Sequence, residues 1–206
     1  SDLGGPSANM YKMKGLNQDI CKNCSKASCI FPKLCSNLIC NHDYLNKLYK
    51  KVRELNGIKK VSIGSGVRYD LFAERNKSND IYKENLIRFH TSGRLKVAPE
   101  HCSDTILNLI RKPNFKYYIE FLAEFNRVNR KYGLRQELVP YFISSLPGST
   151  IQEMNELSEV LRKYNIRPEQ VQDFTPTPMT LATEIFYLGF NPYTGKAVFT
   201  EHDIEK

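Results

Sequence analysis

Five of the six cysteines fall between positions 21 and 40: Cys21, Cys24, Cys29, Cys35 and Cys40, separated by two, four, five and four residues. Thiolates are soft ligands, and clustered cysteines inside a reducing compartment hold zinc or iron–sulfur more readily than they form disulfides. Cys21, Cys24, Cys29 and Cys35 are therefore candidate ligands for zinc or an auxiliary iron–sulfur cluster. Inert thiols and redox pairing stand open beside that reading, because the spacing matches no zinc finger. Cys102 is separate and reads as packing.

A second set of chemistry-bearing residues follows short apolar runs. Ser65, Gly66, Arg68, Tyr69 and Asp70 follow one run, and Pro99, Glu100, His101 and Cys102 follow another. Ser144, Ser145, Pro147 and Gly148 follow a third, and Thr175 to Pro178 a fourth. Singly these are turn formers. Four polar rims at the ends of four strands suit a site instead, because parallel α/β folds place chemistry at the carboxyl ends of strands.

The elements that must position them are legible as periodicity. Residues 59–64, 94–98, 137–143 and 170–174 are short apolar runs bounded by Gly, Pro and Ser, and predict buried strands. Asp43 predicts the start of a helix with Leu45, Leu48, Tyr49, Val52 and Leu55 on one face and Gly57 as its stop. Further helices are predicted over 81–90, 105–111 after Ser103, 116–132, from Thr150 with a Thr150/Glu153 capping box, and 180–188. Strand–helix alternation predicts an α/β fold of parallel βα units. A complete eight-unit barrel needs about 250 residues, so 206 residues predict an open sheet or part of a larger barrel.

Composition narrows the class. The chain is 41% hydrophobic and 25% charged, with no apolar run of membrane-spanning length and no secretory leader pattern. It reads as globular and cytoplasmic, with no membrane partner. The net charge of +8 admits nucleic acid, but the basic residues are scattered and the densest run, 47–53, reads as the wet face of a helix. The chain opens at Ser1 on a Gly-Gly-Pro turn with no element before it, which predicts a fragment of a longer protein.

Taken together and in order, several segments resemble the YgiQ-type radical SAM proteins. They are residues 1–11 (SDLGGPSANMY), 29–35 (CIFPKLC), 65–71 (SGVRYDL), 96–101 (KVAPEH), 139–150 (VPYFISSLPGST) and 169–178 (EQVQDFTPTP). The match runs collinearly from residue 1 to about 195. The resemblance implies a (β/α)6 partial TIM-like barrel, of which this chain holds strands three to six. On that reading residues 1–42 are the strand-two loop and Cys-rich segment, 43–195 the βα units, and 196–206 a C-terminal tail.

The resemblance further implies an enzyme carrying a 4Fe-4S cluster and S-adenosylmethionine, which it cleaves to a 5′-deoxyadenosyl radical for hydrogen abstraction from an unknown substrate. A flavodoxin- or ferredoxin-like electron donor is the implied partner. The cluster-binding C-x3-C-x2-C motif is absent from these 206 residues, so the piece alone is expected to be inactive.

By position, Gly4 and Gly5 match the strand-two glycines that meet the methionine amino group, with Pro6 where the family has glutamate. Glu100 matches the strand-four position that holds the ribose hydroxyls. Ser144, Pro147 and Gly148 match the strand-five adenine-side motif, with Tyr141 and Ser145 where its two earlier glycines stand. Phe174 matches the strand-six segment beside adenine. Two other function classes stand beside this one. One is a basic nucleic-acid-binding module using its 23 Tyr and Phe side chains; the other is a scaffold with a structural zinc site.

Overall fold

The computed structural model describes residues 9–74 and 76–202. In chain order it contains α1 (Gln18–Lys22), α2 (Asp43–Arg53), a 3-10 turn (Tyr69–Ala73), α3 (Lys77–His90), β1 (Arg94–Glu100), α4 (Asp104–Leu109) and α5 (Phe115–Tyr132). Then come β2 (Glu137–Ser144), α6 (Ile151–Lys163), β3 (Val171–Asp173) and α7 (Leu181–Leu188). The fold is mixed α/β. Its three strands form one open sheet in the order β1-β2-β3, with β2 and β3 parallel in the register Phe142 to Val171 and Ser144 to Asp173.

That sheet supports parallel βα units but corrects the expected six-strand partial barrel with four of its strands here. The run at 59–64 is extended yet joins no named strand. Val61 and Ile63 are buried as expected, but their backbone groups go elsewhere. Ile63 N–H donates to the His90 carbonyl at 2.8 Å, and the Val61 carbonyl lies 3.0 Å from His90 Nδ1. Ser62, between them, stands in a β-bridge. Burial also differs from expectation. β1 alternates exposed and buried residues, and all three residues of β3 are exposed. Parallel strands covered on both faces are buried nearly throughout; these are not.

The chain divides into two compact units. One comprises the chain up to Ala98 together with Tyr117–Val139; the other is Pro99–Lys116 with Pro140 onward. In the first, Leu45 and Tyr49 of α2 pack with Tyr82, Leu86 and Ile87 of α3. The apolar face of α2 is narrower than its pattern promised, since Leu48 and Leu55 are exposed. In α5, Tyr118, Phe121, Phe125 and Val128 recur at helical spacing and all are buried. The 3-10 turn adds Leu71 and Phe72, and the Phe72 ring lies 5.6 Å from that of Phe121.

In the second unit, Ile106, Ile110 and Leu146 form a buried cluster, with Ile143, Phe174 and Ala182 packed against it. Each fully buried aliphatic side chain there contributes about 1.5–3 kcal/mol. The start of α6 is fixed by the capping box the sequence predicted, with Thr150 and Glu153 each bonded to the other's backbone. Thr180 caps α7, and Gly189 ends it at φ +70, a left-handed conformation that favours glycine. Among the described residues no helix is long and apolar enough to cross a membrane.

Candidate functional site

The strand ends of the second unit carry the candidate site. At the tip of β1, Glu100 adopts φ +64, a left-handed conformation that costs an L-residue about 1–2 kcal/mol. Its side chain is 13% exposed, and its Oε1 accepts from Lys112 Nζ at 2.6 Å. Among the described residues no other hydrogen bond reaches that carboxylate, so Oε2 is available as an acceptor.

His101 follows and is fully buried. The Ser103 N–H donates to His101 Nδ1 at 3.0 Å, which puts the ring proton on Nε2. Nε2 has no partner among the described residues. Burial lowers the pKa of this ring, opposed by the charges of Glu153 and Glu156, so it is neutral at physiological pH. Burial also raises the Cys102 thiol to about 11 and keeps it protonated.

The turn after β2 joins the same unit. Ser144 is hydrogen-bonded to the Asp173 carboxylate at the end of β3, and Phe174 N–H donates to the Ser144 carbonyl at 2.9 Å. Ser145 takes φ +57 and Gly148 φ +86. The backbone at Ser145 thus has a shape that glycine prefers. A Cβ on Gly148 would lie 3.1 Å from Leu109, so the position is tight as well as left-handed. Its N–H is not free for a ligand, because it donates to the Phe199 carbonyl at 2.8 Å. Pro147 is buried, Phe174 is half-buried, and the Phe174 ring lies 5.6 Å from that of Phe186.

Glu100, Ser144, Pro147, Gly148 and Phe174 thus fall in one unit, with Leu146 and Phe174 in its apolar cluster. The other candidates lie elsewhere. Gly4 and Gly5 are outside the described residues. Cys21 is on α1, and Cys24, Cys29 and Cys35 are on the loops after it, in the first unit. No three His, Cys, Asp or Glu side chains among the described residues gather as a metal-holding group. Asn37 Nδ2 donates to the Cys21 sulfur at 3.2 Å, and Cys40 is buried with its thiol 3.5 Å from the Leu71 carbonyl.

Arg68 and Asp70 form a two-point ion pair in the first unit, Nε to Oδ1 at 2.9 Å and Nη2 to Oδ2 at 2.6 Å, with Asp70 buried. That gives structural work to two residues whose position alone suggested a rim.

Sequence reasoning missed Lys112. It lies beyond a helix whose C-terminal turn is built on Arg111 at φ +58, and arginine at that position gives no sequence signal for such a turn.

No family model matches the chain. Over 206 aligned residues, covering 97% of the chain, it is 53% identical to a UPF0313 protein of Porphyromonas gingivalis and 54% identical to a UPF0313 protein of Bacteroides thetaiotaomicron. It is 40% identical, over its whole length, to a UPF0313 protein of Methanocella arvoryzae. The chain covers 32%, 33% and 34% of those three proteins, about a third of the length of the curated relatives it matches. Its homologues, from bacteria and archaea alike, are UPF0313 proteins, a name that carries no activity.

Proposed function

We propose that this chain supplies the S-adenosylmethionine-binding strand ends of a YgiQ-type radical SAM enzyme, on parallel βα units. The carrying observation is Ser145. The motif that Ser144 to Gly148 resembles has a glycine at that place, and the backbone there is left-handed, as a glycine site would be.

The other strand ends support the same reading. Glu100 offers a partly buried carboxylate, which suits a vicinal diol because it accepts two hydrogen bonds. Phe174 offers an apolar face packed against the Ile106, Ile110 and Leu146 cluster, suited to packing beside a purine. The Gly148 N–H is already engaged, so that residue would act through close approach of its backbone and not through donation. A bound cluster with S-adenosylmethionine would supply the one-electron chemistry for hydrogen abstraction. The residues here bind and orient the nucleoside and exclude water. No C-x3-C-x2-C spacing occurs in these 206 residues.

The test uses the intact gene product, reconstituted anaerobically with iron and sulfide. We expect about four iron and four acid-labile sulfide per chain, and 5′-deoxyadenosine on reduction with dithionite in the presence of S-adenosylmethionine. Glu100→Ala should weaken S-adenosylmethionine binding about tenfold. Absence of both iron and 5′-deoxyadenosine would overturn the reading. Unchanged affinity of the variant would overturn the assignment of Glu100 alone.

A further inference from the structure

We infer that Lys112 is a positioning residue for the ligand site: it holds the Glu100 carboxylate in one orientation, so that Oε2 is a preset acceptor for a vicinal diol. This rests on the reading of Glu100 as the ribose-side residue and adds to it the group through which Glu100 is aimed.

Lys112 reaches Glu100 from a turn just beyond α4. α4 ends in a six-residue closing turn, in which Arg111 N–H donates to the Asn108 carbonyl at 3.2 Å and Lys112 N–H to the Leu107 carbonyl at 2.7 Å. This is the bond pair of a Schellman motif, whose left-handed residue is usually glycine. Here it is Arg111 at φ +58. Its guanidinium lies 4.2 Å from the centre of the Tyr193 ring, a contact that holds the turn from its other side.

The turn therefore presents Lys112 to Glu100, which itself sits left-handed at the tip of β1. Two non-glycine residues in a disfavoured backbone region flank one ion pair. Backbone strain of this kind persists where the surrounding structure over-determines it, and it concentrates at binding sites.

An ordinary exposed ion pair contributes little. This one is asymmetric: Lys112 is 41% exposed, whereas Glu100 is 13% exposed. A carboxylate so enclosed has lost much of its water, and the ammonium replaces it on one oxygen. The second oxygen is left to the ligand without the cost of ordering the side chain at binding. Lys112 touches no reacting atom in this scheme and acts through Glu100.

The experiment measures calorimetric dissociation constants of S-adenosylhomocysteine and of adenine, which has no ribose, on the intact gene product. The variants are Lys112→Met, Lys112→Arg, Glu100→Gln and the Glu100→Gln/Lys112→Met double. Lys112→Met should weaken S-adenosylhomocysteine about fivefold and leave adenine unchanged, and Lys112→Arg should stay within about twofold of the parent. The double variant should bind no more weakly than Glu100→Gln alone, because Lys112 then has nothing to aim. If Glu100→Gln weakens binding but Lys112→Met does not, Lys112 is a bystander and the inference falls while the ribose reading stands. If Lys112→Met weakens adenine equally, its role is general support of the fold and the inference falls. If Glu100→Gln leaves S-adenosylhomocysteine unaffected, the ribose reading falls first and this inference with it.

Discussion

His42 Nδ1 stands 2.5 Å from Asn79 Oδ1, and Asn9 Nδ2 approaches the other ring nitrogen at 3.3 Å. All three side chains are buried, and the His42 ring stacks on Tyr82 with centroids 4.3 Å apart. The amide oxygen of Asn79 must accept, so Nδ1 carries the proton and Nε2 accepts from Asn9. Asn9 in turn accepts from the Arg68 N–H and donates to the Arg68 carbonyl, each at 2.8 Å. One neutral imidazole thus ties together four distant points of the chain. A protonated ring would turn its Nε2 into a donor facing the Asn9 amide donor.

Stability should therefore depend on pH through the buried histidines. Burial lowers the pKa of His42, of His90 and of His101; for His42 the Asn79 and Asn9 hydrogen bonds oppose it, and for His90 the Arg53 charge adds to it. A base whose folded pKa lies below its unfolded value of about 6.5 binds more protons unfolded, so its contribution is complete above that value and is lost as pH falls below it. Each ring adds a slope of at most about 1.4 kcal/mol per pH unit. The urea midpoint should fall from pH 7 to pH 5, and less steeply in His42→Gln. Equal midpoints at the two pH values, with equal m-values, would contradict this.

Asp70→Ala should be among the more destabilising single changes in the first unit. It removes one side of a buried two-point ion pair and leaves the Arg68 guanidinium without its carboxylate. Breaking such a pair costs about 3–5 kcal/mol when both groups are buried, and less here because Arg68 is 28% exposed. Denaturant unfolding of Asp70→Ala beside Asp70→Asn checks it. A loss below about 0.5 kcal/mol would class the pair with ordinary surface ion pairs.

What the sequence disclosed follows from the range of each signal. The helices at 116–132 and 180–188 and the Thr150/Glu153 box are local patterns, and each stands within a residue or so of its predicted place. The run at 59–64 has a strand's composition, but strandhood depends on which partner takes its backbone groups, and among the described residues it shows a bridge at Ser62 and two bonds to His90. Burial of β3 depends on what covers it, which no pattern within Val171–Asp173 records. The strand-end places of Glu100 and Phe174 were legible in the apolar runs that precede them. Lys112 was not, because its approach depends on a turn at Arg111 that composition does not announce. The short α1 (Gln18–Lys22), with no buried residue, carries no apolar period to read.

Two cap changes on α6 should move stability in opposite directions. Thr150→Ala removes a cap whose side chain accepts from the Gln152 N–H, and should cost about 1 kcal/mol. At the other end Asn165 sits at φ +50, its N–H bonded to the Arg162 carbonyl and the next N–H to the Leu161 carbonyl. Glycine suits that left-handed place better, so Asn165→Gly should gain a few tenths to about 1 kcal/mol, net of its greater freedom when unfolded. At this chain length 1 kcal/mol corresponds to roughly 2–4 °C in Tm. Asn165→Gly melting below the parent would mean the turn is held by contacts other than backbone preference.

Thiol labelling should separate the cysteines by environment and test the metal reading at once. Burial raises Cys40 to about 11, the Glu74 and Asp70 charges adding to it, and raises Cys102 to about 11. At pH 7.5 fewer than about one in a thousand of either is thiolate, the form that reacts. Cys21, Cys24 and Cys29 are exposed. Native iodoacetamide treatment followed by peptide mass analysis should therefore modify those three first and reach Cys40 and Cys102 only after denaturation. The same treatment of anaerobically purified intact protein, with and without prior chelation, decides about a ligand. A bound zinc or cluster would protect Cys21, Cys24, Cys29 and Cys35 until the chelator removes it. Equal labelling in both samples would leave the four cysteines as plain thiols.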